Sequence, residues 1–130
     1  MKIGIDARMY GVHFTGIGRY TVELIRHLAT LDQENHYVVF LRKDTFKDFE
    51  LPSTRFTKVL ADYPHYSWGE QMGFLRLIKD QNLDLMHFTH FNAPIFYRRP
   101  YLVTIHDLTL TFYPGKKMNS WFHRWAYHEV

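Results

Sequence analysis

Three stretches of this 130-residue chain place side chains that can bind or move protons at short spacing. They are Gly16-Ile17-Gly18 with Arg19, His87-x-x-His90 with Asn92 beyond it, and Thr104-Ile105-His106-Asp107. The glycine pair opens a helical pattern, where free backbone N–H groups and the helix dipole favour an anion. A glycine turn needed only for its backbone angles is the plainer alternative, although the missing Cβ also lets a phosphate come close. The histidines at 87 and 90 could be half of a metal site. Zinc, however, asks for three or four convergent ligands, and a helical pair stands at i, i+4. Polar lining of a cleft is the better reading. His106-Asp107 has the composition of a hydrolase dyad, but no serine sits in a nucleophile-elbow setting and cysteine is absent. Either the pair binds a substrate hydroxyl or Asp107 caps the next turn, and binding is the favoured reading.

Positioning these groups is the work of alternating strands and helices. Residues 2–6 form a short first strand closed by Asp6, and a loop from Ala7 to Thr15 follows. A helix then begins at Gly16, its apolar stripe running through Ile17, Tyr20, Leu24, Leu28 and Leu31, with Ile25 widening it. The β-branched and aromatic run His36–Leu41 is a second strand, residues 44–54 are irregular, and 55–60 is a third strand. Tyr63-Pro64 breaks the chain. Residues 69–81 are helical, with Met72, Leu75 and Ile78 on one side. Residues 84–88 and 101–105 are strands separated by the loop 89–100. A final helix begins after Pro114-Gly115. Lys116, Lys117 and Met118 with Trp121, Phe122, Trp125 and His128 give it a basic start and an aromatic stripe, which suits a core face or an anionic membrane surface.

This order predicts an α/β fold: a Rossmann-like sandwich with a mainly parallel sheet. Ligands bind such sheets outside the carboxyl ends of the strands. Asp6, His87 and His106-Asp107 all fall at such ends, so one edge collects the polar residues. A dinucleotide fingerprint fits poorly. The stretch Ala7–Thr15 separates the first strand from its glycines, Thr21 stands where a third glycine belongs, and the second strand runs into Arg42-Lys43 rather than an acid.

Composition sets outer bounds. Apolar residues make up 46% and charged residues 22%, an ordinary globular balance for one domain. Sixteen Lys and Arg against 13 Asp and Glu give +3, which suits a phosphate or a lipid headgroup and is too little for a nucleic-acid binder. Without cysteine there are no disulfides, which fits a reducing compartment. No apolar run approaches the length of a membrane span, and Asp6 interrupts any signal-peptide core. A cytoplasmic location is expected.

The order Ile3-Gly4-Ile5-Asp6-Ala7-Arg8, Thr15-Gly16-Ile17-Gly18-Arg19-Tyr20, Asp84-Leu85-Met86-His87-Phe88 and Val103-Thr104-Ile105-His106-Asp107-Leu108 resembles the N-terminal half of family 4 glycosyltransferases. Within that family the likeness is to the mannosyltransferase-like branch. The resemblance implies a retaining enzyme of the GT-B fold, with this chain as its acceptor-side domain across a cleft from a C-terminal donor-binding domain. It implies that Gly16, Ile17 and Gly18, with Arg19, approach the donor diphosphate. His106 and Asp107 then lie beside the transferred sugar, and His87, His90 and Asn92 shape the acceptor side. The implied partners are a GDP- or UDP-hexose donor and a glycan or lipid-linked acceptor of polysaccharide assembly. A membrane surface would be touched peripherally, and neither metal nor other cofactor takes part.

The family's second domain, with its basic donor-binding residues, has no counterpart here, so the chain is expected to be truncated and inactive alone. Two alternatives are a non-catalytic half-domain that docks onto a separate donor-binding chain and half of a GT-B sugar-nucleotide epimerase. The epimerase ranks last, because no carboxylate acid/base pair is legible.

Overall fold

The computed structural model describes residues 1–107; the helix expected over 116–130, with its aromatic stripe, lies outside them. Five strands form one sheet: β1 (Lys2–Asp6), β2 (His36–Leu41), β3 (Phe56–Leu60), β4 (Leu85–Phe88) and β5 (Tyr101–Val103). Their spatial order is β3-β2-β1-β4-β5, and every pairing is parallel. The chain moves outward from β1 to β2 and β3, then returns to build on the other side with β4. The order therefore reverses between β1 and β4, the point where doubly wound sheets hold their ligands.

Parallel pairing follows from the alternation of strand and helix, because each crossover needs a helix to cover one sheet face. Side chains of β2 show the result. Val38 and Phe40 join a core with Phe74, Ile78, Met86 and Phe88 on one face. Tyr37, Val39 and Leu41 join Ile5, Ile25, Phe49 and Phe56 on the other. The period-two alternation thus feeds two cores, and the sheet is buried on both sides.

Helix α1 (Thr15–Leu31) covers the second of these faces, burying Gly18, Thr21 and Ile25 with Leu24 and Leu28 beside them. Leu31, counted in the expected stripe, is 78% exposed, because it stands in the last turn beyond the sheet. The far end of α1 is held by Arg55, whose Nη2 donates to the Asp32 carbonyl at 2.7 Å and the Ala29 carbonyl at 3.3 Å. A cation on the final carbonyls satisfies acceptors that the helix cannot. Within the stretch expected to be irregular, Lys43–Phe46 forms a short helix, α2.

The second crossover departs from the expected regular helix. Glu70–Phe74 is a π-helical turn that leads into α3 (Leu75–Asp80). Its wider turn changes the angular step per residue. Leu75 and Ile78 face the core as expected, but Met72 turns outward and Glu70 and Phe74 turn in. The strand expected over 101–105 is also shorter, ending at Val103.

The entry into α1 rests on two glycines. Gly11 has φ +105°, a region that side-chain-bearing residues avoid. Gly18 lies against it so closely that a Cβ would collide with the Gly11 carbonyl. Gly16, two residues earlier, differs, since a Cβ there meets nothing within 4 Å. Gly18→Ala should therefore cost about 1–3 kcal/mol through overpacking, read as a lowered urea midpoint. Gly16→Ala should leave that midpoint unchanged or raised by up to about 1 kcal/mol.

Candidate functional site

The reversal point between β1 and β4 is stapled by a side chain. Thr89, just past β4, donates its hydroxyl to the Asp6 carbonyl at 2.6 Å. Arg8 lies immediately below. Its Nε donates to Asp6 Oδ1 at 2.8 Å and its Nη2 to Asp6 Oδ2 at 2.7 Å, a bidentate fork suited to a carboxylate. The same Nη2 is 2.7 Å from Glu70 Oε1, and the guanidinium carbon stands 3.9 Å above the centre of the Phe74 ring. Arg8 and Glu70 are both fully buried. Burial alone would lower the Arg8 pKa, but the two carboxylates reverse this and hold it raised.

Glu70 carries further bonds. Asn92 Nδ2 donates to both of its oxygens at 2.9 Å, and the Tyr66 amide donates to Oε2 at 2.7 Å. His65 Nδ1 approaches Oε1 at 3.8 Å, an ion-pair distance rather than a hydrogen bond. Desolvation pushes the Glu70 carboxyl up, but His65, Arg8 and Asn92 together outweigh it and hold the group below its ordinary value. Through Asn92 this buried cluster fixes the start of the loop that carries His90.

Above the cluster the expected residues converge. His87 Nε2 is 2.8 Å from Thr104 Oγ1, which is 3.1 Å from the Tyr20 hydroxyl of α1. This line joins β4, the end of β5 and the first turns of α1. Burial lowers the His87 pKa, with Asp6 opposing. The His90 pKa is also lowered, by burial first and then by His106 and His65. His106 Nε2 lies 2.8 Å from the Thr89 carbonyl. A carbonyl only accepts, so Nε2 is the donor, and in the neutral tautomer this leaves Nδ1 as the acceptor. The Tyr20 ring meets His106 edge-on at 5.0 Å between centroids, and the His90 ring stacks near it at 6.3 Å. His106 and Asp107 are exposed.

The sequence-derived residues thus gather on one edge, with two refinements. Gly18 is buried against the loop, which leaves Gly16 as the open glycine of the first turn, with Arg19 exposed nearby. Asn92 turns its amide inward to Glu70. Sequence reasoning missed Glu70, Thr89 and Tyr20 as parts of the site. The acid-x-Arg pattern at the end of β1 was the available signal for Arg8. No local pattern marks Glu70 as its partner. Among the described residues no group of three or more His, Cys, Asp or Glu side chains is arranged to hold a metal ion.

A groove of about 510 Å³ lies at the opposite end of the strands, lined by Met1, Lys2, His36, Arg55 and Asp84 among others. Its polar groups are engaged with neighbours: Lys2 Nζ donates to the Gln81 carbonyl at 2.6 Å, and the Met1 amine to Asn35 at 2.8 Å.

This arrangement, an all-parallel Rossmann-like sheet with histidines and a helix N-terminus near its reversal point, is of the α/β class in which ligands bind at that edge. A family model described as Glycosyltransferase Family 4 matches residues 14–130, and the chain belongs to that family. It is a glycosyltransferase-type domain. No curated protein and no solved structure matches it.

Two predictions concern the buried groups. Arg8→Met leaves two carboxylates buried without their cation and should cost about 3–5 kcal/mol, measured by urea unfolding at neutral pH. The acid limb of stability should show two windows. His87 and His90 have folded pKa values below the ordinary 6.5, so the unfolded chain takes protons first and stability falls as pH drops below that value. Glu70, depressed below its ordinary 4.5, contributes stability that is lost further down. His87→Gln should shrink the upper window, leaving the part due to His90, and Glu70→Gln should shrink the lower one, read from urea midpoints across the acid range.

Proposed function

We propose that the chain is the acceptor-side domain of a retaining hexosyltransferase of GT-B arrangement, of the mannosyltransferase-like branch. It would take a hexose from a GDP- or UDP-sugar to a glycan or lipid-linked acceptor, with a second, donor-binding domain completing the cleft. Family membership supports sugar transfer in general. The observation that carries the finer reading is the meeting of His106, His87, His90 and the first turn of α1 at one sheet edge.

Each group has a role that its chemistry allows. The N–H groups at Gly16 and Ile17 in the first turn of α1, with the Gly18 turn behind them and Arg19 beside them, stabilise the negative charge that grows on the leaving diphosphate. His106, with Nε2–H committed to the Thr89 carbonyl, presents Nδ1 to a hydroxyl of the transferred sugar. Asp107 accepts from a neighbouring hydroxyl. Burial disfavours the charged forms of both His87 and His90; His90 can hydrogen-bond a hydroxyl of the acceptor, and His87, its Nε2 held by Thr104, shapes the acceptor side from behind. Asn92 acts from below, by fixing the loop that holds His90.

Retention without a side-chain nucleophile requires attack from the face the leaving group departs. The acceptor oxygen forms a bond to the anomeric carbon as the bond from that carbon to the phosphate oxygen breaks. The acceptor's proton passes to the same leaving phosphate. No side-chain nucleophile enters this scheme. Because the second domain supplies the remaining phosphate-neutralising groups, the 130-residue chain alone is not expected to transfer sugar.

His106→Ala in the complete enzyme should lower kcat about 10²–10³-fold, the scale for removing one transition-state hydrogen bond. Its fold should survive with a stability loss of about 0.5–1.5 kcal/mol, the scale of the one hydrogen bond to Thr89 that is removed. Unchanged turnover by this folded variant would defeat the assignment, and brisk transfer by the 130-residue chain alone would defeat the two-domain reading.

A further inference from the structure

The start of α1 is not held by a cap of its own. Phe14 stands at the N-cap and supplies no side-chain hydrogen bond, and Thr15 opens the helix at φ +49°. A β-branched residue in the left-handed region is strained, and such strain persists where neighbouring structure imposes it. On the loop side Gly18 packs against Gly11. On the strand side the anchor is Tyr20, whose hydroxyl is 3.1 Å from Thr104 Oγ1.

Tyr20 is placed to do more than anchor the helix. It follows Gly16 by four residues, so both lie on one helix face, and a helical side chain leans back over the preceding turn. The Tyr20 side chain therefore links the open turn at Gly16 to the strand ends. There its ring meets His106 edge-on, with 81° between the planes and 5.0 Å between centroids. His106 is exposed, and among the described residues it makes one hydrogen bond, from Nε2 to the Thr89 carbonyl. A ring pinned at one atom can pivot about that bond. An aromatic edge packed against its face removes that freedom.

We propose that Tyr20 is a positioning residue for sugar transfer: packed on His106 and bonded to Thr104, it fixes the imidazole in register with the turn of α1 that faces the leaving diphosphate. Thr104, also 2.8 Å from His87 Nε2, extends the same register to β4. Tyr20 acts through His106 and needs no contact with either substrate. Its part in transfer rests on the transferase reading above; its hold on His106 does not.

The test has a kinetic arm in the complete enzyme and a spectroscopic arm in the 130-residue chain. Tyr20→Leu should lower kcat about 10²-fold, the scale of a misplaced reacting group. KM for donor and acceptor should stay within about threefold, since no binding contact is lost. Tyr20→Phe keeps the ring and loses the bond to Thr104, so it should cost about two- to tenfold. Adding Tyr20→Phe to Thr104→Val should cost nothing more, because the shared bond is already gone. The deciding variant is Tyr20→Leu/His106→Ala. Its kcat should be no more than about twofold below that of His106→Ala, because the group to be positioned is absent. In the chain, the His106 ring signals in NMR spectra, identified by their loss in His106→Ala, should shift in Tyr20→Leu. Circular dichroism melts show which variants fold, and Tyr20→Phe with Thr104→Val decides the matter if Tyr20→Leu does not. Losses that multiply in the double variants, or His106 signals unmoved in every folded Tyr20 and Thr104 variant, overturn the proposal. Shifted signals together with full turnover by His106→Ala would overturn the part in transfer along with the reading it rests on, and leave the hold on His106 as a structural contact.

Discussion

The buried Arg8 between Asp6 and Glu70 is the interaction on which the rest of the site depends. A guanidinium with no exposed surface is tolerated only when its charge is met, and here two carboxylates and an aromatic ring meet it. Asp6 closes β1, Glu70 lies in the π-helical turn, and Asn92, bonded to Glu70, begins the loop after β4. One cluster therefore fixes three segments that are distant in sequence. Replacing it by apolar residues could preserve a core, but it would release the loop that carries His90 from its register with β1.

That cluster also accounts for the π turn. A regular helix would bury Met72 with Leu75 and Ile78, as the apolar pattern suggests. The wider turn instead carries Glu70 inward to Arg8 and places Phe74 beneath the guanidinium. π turns are rare and concentrate near functional sites. In this protein the turn exchanges an apolar contact for a buried ion pair, and the exchanged methionine faces outward.

The histidine edge is built differently, from short links between strand ends. Thr89 joins β4 to β1 through the Asp6 carbonyl and holds His106 through its own carbonyl. Thr104 joins His87 to Tyr20, and so the sheet to α1. Small hydroxyl side chains suit this task because each can donate and accept at once. They order the imidazoles without adding charge beside them, which keeps the edge compatible with a polar, uncharged sugar.

The sequence by itself determined the strands, the parallel α/β class and the edge at which His87, His90 and His106 collect. It could do so because periodicity and strand ends are local properties: the β-branched and aromatic run of β2 and the glycines at the start of α1 are written in consecutive residues. The opening motifs also sufficed to suggest the family. Tertiary structure alone decided that Glu70 pairs with Arg8, that Asn92 faces inward, that Gly18 is buried while Gly16 is open, and that Met72 points out. Each of these is a contact between segments far apart along the chain. Its energy depends on burial and charge neutralisation at a place that exists only once the sheet has assembled, so no local pattern encodes it.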